Sequence, residues 1–304
     1  MTSIHNQLKN HLKTSPLGKM GSILPRFPLA KMVHRLTRDL ANRGNPLKPG
    51  DDQRVVEFNE LRPAQQELEA IIGGSELLPA YFLVMGALRQ NAVARIRLKQ
   101  PHDGLPAGSG WRTGFLISPS LLITNNHVIA TPEFAVHTAR IQFNFENDLE
   151  GTALPVDEYD LDPDSLLLTS PDTALDYTIV RVHPQENAPG DHWGTIPLTT
   201  DIQFAETQQV NIIQHPQGRP KEVVLRQNRI TSVLPNFLRY EADTEPGSSG
   251  SPVLNNSWQL VALHHAAGDP GPNGTYLNNE GVRIDRIIAD IRQRAPHLIQ
   301  ELGL

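Results

Sequence analysis

The sequence predicts a mainly β protein, a barrel or sandwich rather than a parallel sheet. A small helical segment precedes it and a C-terminal helix closes it. Three observations carry this reading. From about residue 92 onward, short runs of β-branched and apolar residues follow one another, among them AVARIRL, TGFLIS, LLIT, ARIQFNF, YTIVRV, VNIIQH and LVALHH. Clusters of Pro, Gly, Asn and Asp separate the runs, and no helical pattern alternates with them. Before residue 92 and after residue 284 the apolar spacing changes to that of helices.

Taken in order, residues 29–43 place Leu29, Met32, Val33, Leu36 and Leu40 on one helical face. Pro28 suits the first turn of such a helix and Gly44 suits its stop. NPLKPGDD (45–52) reads as a linker, RPAQQELEAIIGG (62–74) as a second helix stopped by its glycines, and PAYFLVMGALRQ (79–90) as an apolar third. The strand-rich part follows, with TGFLIS, LLIT, LLLTS, EVVLRQ, RITSVL, FLRYEA, SPVL and GVRI among its runs. The chain then ends in DRIIADIRQRAPHLIQEL (285–302), where Ile284, Ile287, Ile288 and Ile291 share a face that would dock on the strands. This divides the chain into a helical accessory segment, residues 1–90, and a β domain, residues 91–304.

The 304 residues carry a net charge of −6 and no cysteine. The absence of thiols favours a reducing compartment over a disulfide-stapled secreted fold. The first residues lack the apolar core of a signal peptide, and LLPAYFLVMGAL is too short to span a bilayer. The expectation is a cytoplasmic protein with no membrane span. Charge is uneven: residues 1–50 hold nine Lys/Arg and a single acid, Asp39, whereas the remainder is acidic. The N-terminal segment is therefore a candidate docking element for a recruiting or regulatory partner. No phosphate-cradling glycine loop and no metal-ligand spacing is present, so neither cofactor, metal nor nucleic acid is expected.

EPGSSGSPV (245–253) poses the chemical question, because such a cluster is either a plain turn or the seat of a nucleophile. A nucleophilic serine needs a base, an orienter for that base and donors for the oxyanion. ITNNHVIA puts His127 just past a strand. ALDYTIVRV opens a strand with Asp176 in apolar surroundings, where an unpaired carboxylate would be expensive; Asp172, beside Ser170 and Pro171, is its competitor. Gly247, two residues before Ser249, can present its N–H with no side chain in the way, and the N–H of Ser249 is the second donor. A G-x-S-x-G elbow would need glycine where Ser251 stands, which argues against a hydrolase built on strand–helix alternation.

GSGWRTGFLISPSLLITNNHV, ALDYTIVRV and DTEPGSSGSPV together resemble the three signature segments of chymotrypsin-like serine endopeptidases. They are most similar to the cysteine-free bacterial branch that includes the glutamyl endopeptidases. The resemblance covers roughly residues 92–292. It implies a double six-stranded antiparallel β-barrel, with His127 as base, Asp176 as its orienter and Ser249 as nucleophile. It also implies protein or peptide substrates.

Two departures from that pattern matter. IIGG (71–74) resembles the freed N-terminus of activated digestive proteases, but Ser248 stands where its aspartate partner would be, so no activation by that ion pair is expected. Asp243 lies where trypsins place the selector for Lys or Arg. Yet Thr244 follows it and His264 ends the next strand, a combination similar to the acid-binding pocket of glutamyl endopeptidases. The expectation is an acidic residue before the cut bond, with Lys/Arg specificity and a non-catalytic or latent peptide-binding barrel as alternatives. His265, adjacent to His264 on a strand, would face the opposite side, and His215 in QHPQG reads as part of a hairpin loop.

Overall fold

The computed structural model describes residues 77–304; the expected helices at 29–43 and 62–74, the IIGG stretch and the basic residues of 1–50 lie outside the described residues. Residues 80–304 form one compact unit. It opens with α1 (Tyr81–Arg89), inside the stretch where an apolar helix is expected. Gly86 lets this helix lie flat on an aromatic ring, since a Cβ there would meet the Trp258 indole closer than any real contact. Phe82 packs on that ring at 4.8 Å, and the Trp258 Nε1–H donates to the Phe82 carbonyl at 2.7 Å.

Seven strands of the first half follow: β1 (Val93–Leu98), β2 (Gly110–Leu116), β3 (Leu121–Thr124), β4 (Ala139–Phe143), β5 (Asp157–Tyr159), β6 (Leu161–Ser170) and β7 (Tyr177–Val182). They pair antiparallel in the order β5-β4-β1-β2-β3-β7-β6. Asp160 alone separates β5 from β6, so one curling strand borders both edges of the sheet and closes it into a barrel of six. Lys99 and Arg140 hold Asp160 at that corner, at 2.7 and 3.1 Å.

The second half repeats the device. Strands β8 (Val210–Gln214), β9 (Glu222–Val224), β10 (Ile230–Val233), β11 (Phe237–Tyr240), β12 (Pro252–Asn255), β13 (Leu260–Ala267) and β14 (Asn279–Arg283) are ordered β10-β11-β14-β13-β12-β8-β9. Gln209 bridges Arg229, so the passage from β9 to β10 stays on the β8 edge while β10 pairs with β11. Closing a sheet removes its exposed edges. The result is the expected pair of six-stranded antiparallel barrels.

Short helices α2 (Pro132–His137) and α3 (Pro189–Trp193) fill connections that carry no strand pattern. The C-terminal helix departs from expectation. It is not continuous over 285–302: α4 (Ile284–Arg294) stops before Pro296, a 3₁₀ turn follows, and α5 (Ile299–Leu302) resumes. The proline ring disfavours helical geometry at the residue before it, and Ala295 has left the helical region at φ −140° and ψ 57°. Ile284, Ile287, Ile288 and Ile291 are buried as their spacing predicts, each contributing about 1.5–3 kcal/mol. α4 also ties back to the first barrel. The Tyr177 hydroxyl donates to Asp290 Oδ2 at 2.6 Å, and Arg294 donates to the Thr169 carbonyl at 2.8 Å.

Candidate active site

His127 lies in the turn directly after β3. The N–H groups of Val128 and Ile129 both return to the Asn125 carbonyl, which tightens that turn. Asp176 precedes β7 with φ of +40°, an uncommon conformation for a residue with a side chain. Its own N–H bonds to the Pro171 carbonyl, and the Asn125 amide donates to its carbonyl at 2.9 Å. These bonds fix the carboxylate against His127. Asp176 Oδ1 accepts the His127 backbone N–H at 3.1 Å, and Oδ2 lies 2.8 Å from His127 Nδ1. The Asp176 side chain is 3% exposed. Burial alone would raise its pKa, but the hydrogen bonds from His127 and His265 outweigh burial and carry it down to about 2. Asp172, the competitor, is exposed.

The Ser249 turn is carried by the second barrel and docks on the strands that lead to His127. The Thr113 N–H donates to the Ser249 carbonyl at 3.0 Å, and the Thr113 hydroxyl donates to the Gly247 carbonyl at 2.9 Å. Gly250 sits so close to the Thr113 carbonyl and the Thr124 hydroxyl that a Cβ could not be accommodated. Thr124 is three residues before His127. The Ser249 hydroxyl makes no hydrogen bond to any described residue, His127 included.

Backbone donors in this turn divide into two sets. The N–H groups of Ser248, Gly250 and Ser251 donate to the carbonyls of Glu245, His264 and Ser248 at 3.0, 2.9 and 3.1 Å. Those of Gly247 and Ser249 donate to no described residue. Gly247 has φ of +105°, and a Cβ there would lie 2.8 Å from both the Gln217 nitrogen and the His215 carbonyl. The HPQG loop thus buttresses the turn from beneath. His215 is fully buried and bonds through Nδ1 to the Arg219 carbonyl; burial, aided by Lys221, pushes it down to about 3.

The proposed pocket residues are placed differently from one another. The Asp243 residue is exposed, and its carbonyl accepts from Gln214. The Thr244 hydroxyl donates to Asn279 Oδ1 at 2.9 Å, and Asn279 in turn donates to the Ala242 carbonyl. His264 is buried with Nδ1 2.7 Å from the Tyr240 hydroxyl. Burial and its neighbours His265 and His127 push His264 down to about 3, while burial holds the Tyr240 hydroxyl well above its ordinary value. Among the described residues no cluster of ligands could hold a metal ion, and no helix is long and apolar enough to cross a membrane.

The family model for the trypsin-like peptidase domain matches residues 112–263, half of the chain. The chain belongs to the trypsin-like peptidase family. An uncharacterized protein y4fB of Sinorhizobium fredii is 35% identical over 74% of this chain and 39% of its own length. The glutamyl endopeptidase of Staphylococcus aureus strain MW2 is 23% identical over 59% of this chain and 53% of its own length. The solved structure of Deg5 superposes at a TM-score of 0.49 with 16% identity, covering 71% of this chain and 93% of that one. The chain spans roughly 39–55% of the length of the curated relatives it matches.

Within this trypsin-like peptidase domain, sequence reasoning named His127, Asp176, Gly247 and Ser249 as candidates because each lies beside a strand with a readable pattern. It missed Asn125 and Thr113, which pin the two halves of the site through their side chains. It also missed the partners of His265. That ring lies 3.2 Å from Asp176 Oδ2 through Nδ1 and 3.1 Å from Glu280 Oε1 through Nε2. The HH doublet was the only signal, and no local pattern ties it to Glu280.

Proposed function

We propose that the protein is a serine endopeptidase that cleaves peptide bonds through an acyl-enzyme. The observation that carries this is the buried Asp176 carboxylate, both of whose oxygens engage His127 on the turn flanked by the Ser249 loop. With Nδ1–H donating to Asp176, His127 Nε2 is left as an acceptor, the form a general base requires. His127 takes the Ser249 proton as Oγ attacks the peptide carbonyl. Asp176 stabilises the imidazolium that forms. The oxyanion is received by the N–H groups of Gly247 and Ser249, the two donors of the turn that have no described partner. His127 then protonates the leaving amine, and water releases the acyl group.

An acidic side chain before the cut bond fits the pocket better than a basic one. The Tyr240 hydroxyl, held protonated by burial, donates to His264 Nδ1, so the proton of this neutral ring sits on Nε2 toward the Glu280 backbone carbonyl, and a substrate carboxylate would share that donor. Thr244 and Asn279, bonded to each other, are the further polar groups of this proposed pocket. The exposed Asp243 is not committed to the floor of a cation pocket. The test is to digest a complex peptide mixture with wild type and Ser249→Ala and to read the new termini. Cuts after Glu or Asp that vanish in the variant are the expected result. Cuts after Arg or Lys would return the selector role to Asp243. Absence of Ser249-dependent cuts, together with no fluorophosphonate label at Ser249, would refute the enzyme reading.

A further inference from the structure

Asp176 serves two imidazoles, and only one of them belongs to the proposed base. Strands β13 and β14 change register between His264, opposite Gly281, and Ala266, opposite Glu280. His265 is the extra residue of that bulge and has no partner across the ladder. A bulge re-aims the side chain it carries, and here the ring reaches out of its own barrel to the carboxylate that precedes β7. One face of the ring stacks on Phe237 at 5.2 Å with the planes 8° apart. Its side chain is 13% exposed, with Asp176 at 3% and Glu280 at 15%.

The geometry of the two nitrogens sets the charge. Both ring nitrogens face carboxylate oxygens, which can only accept. A neutral imidazole has one N–H and would leave one carboxylate facing a lone pair. An imidazolium satisfies both. Burial disfavours that charge, yet the bonds to Asp176 and Glu280 outweigh it and raise the ring above its ordinary value. Asp176, which also bonds His127, faces the ring from the first barrel, Glu280 from β14, Arg239 from β11 through Glu280 Oε2 at 3.0 Å, and His264 from the preceding position. Arg239 is itself paired with Asp269. The chain Asp269–Arg239–Glu280–His265–Asp176–His127 therefore alternates in sign up to the base.

We propose that His265 is a positioning residue that, as an imidazolium clamped between Glu280 and Asp176, holds the Asp176 carboxylate and tempers the basicity of His127. It rests on the reading of His127, Asp176 and Ser249 as the working triad. The clamp engages Asp176 Oδ2 and leaves Oδ1 to the His127 backbone N–H. Its positive charge also draws on Asp176 Oδ2, the same oxygen that His127 Nδ1 bonds. The second barrel thereby tunes the base of the first.

The test uses the full chain labelled with ¹⁵N-histidine, titrated between pH 4.5 and 9.5, with ring protonation read from two-bond proton–nitrogen spectra. Wild type, His265→Gln and Glu280→Gln are compared, with near-UV circular dichroism as the fold control. In wild type, His265 is expected to stay doubly protonated through pH 7. Glu280→Gln should lower its transition by about one pH unit, and His265→Gln should raise that of His127 by about as much. The acid limb of kcat/KM should move with His127, with the loss in kcat rather than KM. A merely structural ring would lower stability and leave both transitions where they were.

A neutral His265 at pH 7 would overturn the proposal. So would an unmoved His127 transition in a folded His265→Gln, or, if that variant does not fold, an unmoved His265 transition in Glu280→Gln. Failure of the triad reading shows separately, as absence of Ser249-dependent hydrolysis by a wild type whose histidines titrate as described.

Discussion

Replacing Asp176 by asparagine keeps the shape of the side chain and removes its charge, and its effects on stability and on rate are separable. The folded carboxylate titrates at about 2 against an ordinary 3.8. At roughly 1.4 kcal/mol per pH unit, that difference amounts to about 2 kcal/mol of stability at neutral pH. The side chain is only 3% exposed, so solvent screening takes little from it. Because the folded value is depressed, the contribution is complete above pH 3.8 and is lost as pH falls through 3.8 toward 2. Urea unfolding of wild type and Asp176→Asn at pH 7 and pH 3, followed by tryptophan fluorescence, should show a gap that narrows by about 1 kcal/mol at the lower pH, since pH 3 lies between the two values. The rate effect has a different origin. The asparagine amide presents N–H groups to Nδ1, so His127 must place its proton on Nε2, where it can no longer accept from Ser249. In a well-studied triad this costs about 10⁴ in kcat. A stability gap equal at the two pH values, or a rate within tenfold of wild type, would refute the argument that the charge and the tautomer are what Asp176 supplies.

Gly247→Ala forces a side chain into a backbone at φ +105°, with a Cβ 2.8 Å from two backbone atoms. The turn must shift, and kcat should fall by at least about 100-fold, with fluorophosphonate labelling slowed in step; normal labelling would show that this N–H is not an oxyanion donor. Tyr177→Phe removes the 2.6 Å bond to Asp290 that ties α4 to the first barrel. It should cost about 1–3 kcal/mol in thermal unfolding, and an unchanged melting temperature would show that this bond does not help to hold α4.

The barrels were legible because their strands are apolar and β-branched on a local period, which is a property of the residues themselves. β5 was not, since Asp157–Tyr159 pairs by continuing the curl of β6 rather than by any apolar pattern of its own. The break at Ala295 was written in Pro296, but the apolar spacing of α4 masked it. His127 and Asp176 could be named as candidates because each lies beside a strand. The clamp on Asp176 could not, because it depends on a one-residue change of register between β13 and β14 and on a glutamate that no motif marks. Pocket residues sit between these cases. Thr244 and His264 could be named, whereas Tyr240 and Asn279, which decide how they are presented, come from strands 24 and 35 residues away.

The division of the site between the barrels has a consequence during synthesis. A growing chain completes the strands bearing His127 and Asp176 before it contains Ser249, the paired donors or His265. On the proposed triad, even a fully folded first barrel would be chemically silent, holding His127 and Asp176 without the serine they would serve. Reactivity would arrive only when the later half has emerged and docked on Thr113 and Thr124. The order of residues along the polypeptide would then act as a timer, keeping a nascent chain from attacking its neighbours while its own loops are still open to attack.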